Sequence, residues 1–102
     1  MERETIIKIQ VNEAGELFLS VESGGKSMYQ QVYREAAGVY WDQENHGFKS
    51  TPIKEWSCSQ WFSQIVSVVR SGLGVELRLS PNAIWQNITE NDKSEIVKNH
   101  AI

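Results

Sequence analysis

The chain has 102 residues, 40% of them hydrophobic, and its 13 acidic and 10 basic side chains give a formal net charge of −3. This length predicts one domain over residues 1–102, and the acidic balance argues against a general attraction for nucleic-acid phosphates or membranes. Cys58 is the only cysteine, which excludes an intramolecular disulfide framework. With the charged first residues of the sequence, this composition predicts a cytoplasmic protein without a membrane segment.

The first two predicted elements are strands joined in a hairpin. Apolar and polar residues alternate over Thr5–Asn12 and again over Glu16–Glu22, which is the period of a half-buried strand. Between them, Glu13-Ala14-Gly15 supplies a short turn with a glycine, so we expect the two strands to pair antiparallel.

A short helix is predicted after this hairpin. Ser27 and Gln30 have the spacing of a capping box, and Gly38 is placed to end a helix. Tyrosine and valine also favour strands, so a continuation of the sheet over Tyr29–Ala37 stays open as an alternative.

A second hairpin is predicted from the next two apolar runs. Val39–Asp42 and Phe48–Thr51 flank a polar loop that ends in Gly47. A loop of this length with a closing glycine is typical of two paired strands.

The longest helix is predicted to follow. Ser57 and Gln60 repeat the capping-box spacing, and apolar residues then recur at helical intervals until Gly72 and Gly74. This segment is therefore the main core helix.

The last third of the chain is predicted to hold one strand and helical segments. Val75, Leu77 and Leu79 alternate with charged residues, whereas Ser80-Pro81 fits a helix start and Glu90–His100 a peripheral C-terminal helix. The element order ββαββαβα predicts an α+β fold, with a mainly antiparallel sheet of about five strands and helices packed on one face.

The residues available for catalysis favour structural roles. A nucleophilic site would have to be assembled from Asp42, His46 and Cys58, but Cys58 lies on an apolar helix face and His46 in a turn. The histidines and the cysteine have no metal-ligand spacing, and no glycine pair matches a phosphate loop. We therefore predict no catalytic residue, no metal and no cofactor, and favour a non-enzymatic role.

Apolar residues are also predicted on the face of the first hairpin that points away from the helices. If Ile7 faces the helices, strand alternation directs Ile6 and Phe18 to the opposite face, together with either Tyr40 or Trp41. Scattered exposed apolar residues are also common on monomers. We predict that Ile6, Phe18 and Tyr40 form an interface, in a homo-oligomer or with a partner protein.

Two other functions remain open from the residues alone. One is a small-molecule-binding protein or minor enzyme, with an aromatic pocket between sheet and helices that is lined by Tyr29, Tyr33, Trp41 and Trp56. The other is a toxin-neutralising, immunity-like partner, which the small size and acidic charge favour.

The aromatic-rich middle of the chain resembles a known group of proteins. Tyr33–Asp42 and Phe48–Pro52, with Trp56, Trp61 and Phe62, are similar to small orphan proteins encoded on bacterial integron gene cassettes. The resemblance implies a short accessory protein, often oligomeric, and it assigns no functional residue. The leading hypothesis, based on Ile6 and Phe18 on the outer strand face, is a non-enzymatic binding or protein-interaction module that associates with itself.

Overall fold

The computed structural model describes residues 2–32, 38–52 and 56–100. Within them the strands are β1 (Glu2–Val11), β2 (Glu16–Val21), β3 (Val39–Asp42), β4 (Gly47–Pro52) and β5 (Val75–Gln86). A 3-10 helix (Ser27–Val32) follows β2, helix α1 (Cys58–Leu73) follows β4, and helix α2 (Glu90–His100) follows β5. The α+β class is thereby confirmed.

The sheet is mixed, which corrects the prediction of a mainly antiparallel one. Its strand order is β3-β4-β2-β1-β5, and both predicted hairpins pair antiparallel, but β5 runs parallel to β1. Strands β4 and β5 run in the same direction because α1 connects them as a crossover. Strands that run in the same direction require a crossover connection such as this helix. The parallel pairing was not predicted because pairing between strands distant in sequence leaves no local sequence pattern.

An irregularity in β1 reverses the predicted orientation of its isoleucines. The register of β1 shifts between Ile6 and Lys8 against both of its neighbours. Ile6 and Ile9 are both fully buried in the core, whereas Ile7 is 39% exposed. A bulge adds one residue to a strand, so the alternation assumed for Ile6 and Ile7 was wrong.

Strand β5 continues through the segment that was predicted to begin a helix. Ile6 pairs with Leu79 and Lys8 with Ile84, so residues 80–83 lie opposite Ile7 alone. Pro81 is accommodated because β5 is the outermost strand, where a missing backbone N–H costs little. Apolar residues recur at every odd position from Val75 to Trp85, and this period of two was the better guide.

The main helix begins and ends close to where the sequence predicted. The Ser57 hydroxyl accepts a hydrogen bond from the Gln60 backbone N–H at 3.2 Å, and the Gln60 side chain accepts one from the Ser57 N–H at 2.8 Å. Gly74 ends the helix with a left-handed backbone at φ 68°. Buried side chains of α1, α2 and the 3-10 helix join the inner face of the sheet in one hydrophobic core.

The first predicted helix is present as a 3-10 helix over Ser27–Val32, with Tyr29 and Val32 buried. The rest of the segment for which helix and strand were both considered, residues 33–37, lies outside the described residues.

Candidate functional site

Two of the predicted ligand-binding residues lie together in a closed aromatic cluster. The Tyr29 and Trp41 ring centroids are 5.4 Å apart, and Phe48 packs 5.3 Å from Tyr29 and 5.0 Å from Trp41. Tyr29 and Phe48 are fully buried. The aromatic rings pack against one another at these distances, and whether Tyr29 and Trp41 contact a ligand stays a prediction.

A buried carboxylate fixes the polar tip of this cluster. Glu4 is only 6% exposed, and its Oε1 accepts hydrogen bonds from the Tyr29 hydroxyl at 2.7 Å and the Ser23 hydroxyl at 2.6 Å. Burial, and then the hydrogen bond to Glu4, raise the pKa of Tyr29. The arrangement ties β1 to the 3-10 helix, which is a structural role.

The other two predicted ligand-binding residues are not part of that cluster. Trp56 is 43% exposed and packs against Trp61, with ring centroids 4.9 Å apart. It borders a shallow hollow of about 860 Å³ on α1, whose other lining residues are polar. Tyr33 lies outside the described residues.

The predicted interface residues occupy three different environments. Ile6 is fully buried on the inner face, which corrects its predicted placement. Phe18 lies outside the core cluster but is only 4% exposed, with the Lys49 ammonium 5.9 Å from its ring centroid. Tyr40 is half-buried and pairs with Lys49 across the strands. Whether Phe18 and Tyr40 contact another molecule stays a prediction.

Two depressions with apolar and cationic lining residues lie along β5. One depression, of about 470 Å³, lies between β5 and α2 and a second, of about 340 Å³, lies between β5, α1 and the end of α2. Leu79 lines both depressions, which we together call the β5 groove. Its lining residues are Phe62, Val66, Arg70, Glu76, Leu77, Arg78, Leu79, Ser80, Pro81, Ala83, Trp85, Lys93, Val97 and His100.

The charged side chains that line the β5 groove are predominantly cationic. Arg70, Arg78 and Lys93 stand against the single carboxylate of Glu76. Glu76 Oε2 lies 3.3 Å from an Arg78 nitrogen and 3.8 Å from Arg3 Nε, so its charge is compensated within the protein. The Lys93 ammonium lies 5.6 Å from the Trp85 ring centroid.

His100 closes one end of the groove. Its ring packs on Phe62 with centroids 4.6 Å apart, and its Nε2 lies 2.9 Å from the Ser63 hydroxyl. Burial lowers the pKa of His100, so at neutral pH the imidazole is uncharged.

No local sequence pattern marked Lys93 or Val97 as binding residues. Trp85 was predicted to lie in a short helix. The available signal was the apolar period of two that continues to Trp85 and predicts one long strand. That the same strand lies at an edge beside α2 follows only from the tertiary structure.

Within residues 2–32, 38–52 and 56–100, no group of three or more histidine, cysteine or carboxylate side chains is placed to hold a metal ion. None of the helices in this part of the chain has the length and apolarity needed to cross a membrane.

Comparison with known proteins identifies the family. The family model for integron cassette protein Hfx_Cass5 matches residues 4–83, and the chain therefore belongs to that family of integron cassette proteins. A solved structure of integron cassette protein Hfx_Cass5, from the mobile metagenome of the North West Arm sewage outfall, is 30% identical. The alignment covers 100% of this chain and 99% of that one, with a TM-score of 0.43. No curated protein matches the chain.

Proposed function

We propose that this integron cassette protein is a non-enzymatic binding module that holds a partner in the β5 groove. The observation that carries the proposal is the edge strand β5, which lies beside α1 and α2 with two depressions along it that apolar and cationic side chains line. Binding sites are typically concave and mainly apolar, with a few placed polar groups.

The state of the only thiol supports a binding role over thiol catalysis. Cys58 is 5% exposed, and burial, with a smaller effect of Asp92, raises its pKa to about 12. The thiolate is the reactive form, so at neutral pH Cys58 is a poor nucleophile. His46 was the candidate base for Cys58. Its Nδ1 lies 3.1 Å from the Gly24 carbonyl oxygen, on the turn after β2.

A selection experiment tests the proposal. Random twelve-residue peptides displayed on phage are selected on the immobilised wild-type protein and then screened against Val97→Glu and Ile84→Glu. Val97 lines the β5 groove and is 38% exposed, whereas Ile84 lies outside it and is 56% exposed, so the two variants make a matched pair. We expect the enriched peptides to lose binding to Val97→Glu and to keep binding to Ile84→Glu. Enrichment of no peptide, or equal binding to both variants, would contradict the proposal.

Self-association through the outer sheet face is the second candidate function. Ile7 and Ile84 are exposed large apolar residues that border the same depression of about 580 Å³ on that face. Ile7 takes the place of the buried Ile6 in the proposed interface, in which Phe18 and Tyr40 stay predicted contacts.

Light scattering on a size-exclusion column, at two protein concentrations, tests this candidate. Self-association predicts a dimer or larger assembly for the wild type that dissociates in Ile84→Glu and persists in Val97→Glu. A wild-type monomer at both concentrations would remove the candidate without affecting the β5 groove.

A further inference from the structure

We infer that the partner held in the β5 groove is an extended acidic peptide, which adds to the sheet as a sixth strand beside β5. The inference rests on the proposed function and names the class of partner. Strand β5 pairs with β1 on one side, and no strand among the described residues pairs with its other side. The backbone N–H and C=O groups of such an edge are a template for an incoming strand.

The regular part of β5 defines the length of this template. Residues 75–79 pair with residues 2–6 without interruption, and the register then shifts across residues 80–83. Pro81 lacks an N–H, so the template ends near this point. The regular segment accommodates about five residues of an added strand, or about 17 Å.

Side chains around this template predict an alternating peptide. On the helix side of the edge, the partly buried Val66 of α1 lines the depression together with the core residues Phe62 and Leu79. Glu76 and Arg78 alternate with the buried leucines of β5 and point to the other face. Because successive side chains of a strand point to opposite faces, every second peptide residue should be apolar.

Charge favours carboxylates at the remaining positions. Two cationic side chains, Arg70 and Arg78, line the depression beside residues 75–79 in a protein whose net charge is −3, whereas Lys93 lines only the depression beyond Leu79. Glu76 already contacts Arg78 and Arg3, and His100 is uncharged at neutral pH because burial lowers its pKa. A complementary partner therefore carries acidic residues.

The test measures fluorescence anisotropy of a fluorescein-labelled peptide of alternating valine and glutamate, titrated with the full-length protein. Two peptides serve as controls: one with lysine in place of glutamate, and one with the same sequence N-methylated at alternate residues, which removes backbone donors. Arg70→Glu is compared with Lys98→Glu, because both residues are exposed and only Arg70 lines the groove. Thermal unfolding of both variants confirms that they remain folded.

We expect the valine–glutamate peptide to bind and both control peptides to bind much more weakly. Arg70→Glu should weaken its affinity about tenfold, whereas Lys98→Glu should change it less than about twofold. Equal binding of the lysine or N-methylated peptide, or equal effects of the two variants, would overturn the inference.

The selection on Val97→Glu separates this inference from the function on which it rests. If selected peptides need Val97 but show no enrichment in acidic residues, the binding function holds and the acidic partner is wrong. Light scattering could instead show a dimer that Arg70→Glu dissociates. In that case a second copy of the chain occupies the β5 edge, and the peptide inference is also wrong.

Discussion

The two ends of the sheet differ in the groups that pack against their aromatic rings. At the end formed by β3 and β4, Tyr29, Trp41 and Phe48 pack on one another, and Glu4 binds the tyrosine hydroxyl. At the β5 end, Trp85 is partly buried and packs against the core, as Trp41 does, but the ammonium of Lys93 lies over its ring. Aromatic composition alone therefore does not distinguish a filled core from a binding site, because the decisive factor is whether neighbouring elements cover the rings.

The largest expected difference between the two ends is in stability. Phe48→Ala removes a fully buried ring and should lower the free energy of unfolding by about 3 to 5 kcal/mol. Trp85→Ala removes a partly exposed ring and should cost about 1 to 2 kcal/mol. Urea denaturation of both variants measures the difference, and equal losses would mean that the β5 end is packed as tightly as the other.

A second prediction uses two glycines with positive φ. A Cβ on Gly25, at φ 102°, would collide with the Trp41 indole, whereas a Cβ on Gly74, at φ 68°, meets no atom of the described residues within 4 Å. Gly25→Ala should therefore cost about 2 to 3 kcal/mol, and Gly74→Ala about 1 kcal/mol, for the backbone conformation alone. Thermal unfolding of the pair checks this order, and the reverse order would show that Trp41 yields easily.

The polar tip of the closed cluster gives a third, smaller effect. Tyr29→Phe leaves the buried Glu4 carboxylate without one of its donors, which should cost about 1 to 3 kcal/mol. A double-mutant cycle with Glu4→Ala, which removes the acceptor, isolates the interaction. Additive effects of the two substitutions would mean that the hydrogen bond contributes nothing to stability.

The smallest expected effect is a pH dependence of the free energy of unfolding, due to His100 at the β5 end of the sheet. Burial lowers the pKa of His100 from its usual value of 6.5, so below that pH the unfolded chain binds more protons than the folded one. The stability due to neutral His100 is present at neutral pH and is lost as the pH falls through the lowered pKa. The free energy of unfolding should therefore fall less between pH 7 and pH 5 in His100→Gln than in the wild type. Parallel curves would contradict the shift.

Local patterns predicted the parts of the fold that depend on neighbouring residues. Both hairpins, the capping box of Ser57 and Gln60, and helix α2 over Glu90–His100 were confirmed because turns, caps and periodicity act over a few residues. The integron cassette resemblance was confirmed by the family match over residues 4–83.

The errors arose where distant parts of the chain decide the outcome. The bulge at Ile7 lies in the register of β1 with both β2 and β5, and no alternation within β1 predicts it. Ser80-Pro81 was interpreted as a helix start because its local chemistry suits one, although pairing with β1 extends the strand. The β5 groove was missed for the same reason, since its walls come from α1, β5 and α2.

Glu2 pairs with Val75, so the pairing of β1 with β5 brings together residues that lie far apart in the sequence. Contacts between residues so far apart in sequence raise the contact order, and chains rich in them fold slowly. During synthesis the β1–β2 hairpin can form early, whereas the edge strand is complete only once Gln86 has been added. Until β5 pairs with β1, the β5 groove is incomplete, because its walls include this strand.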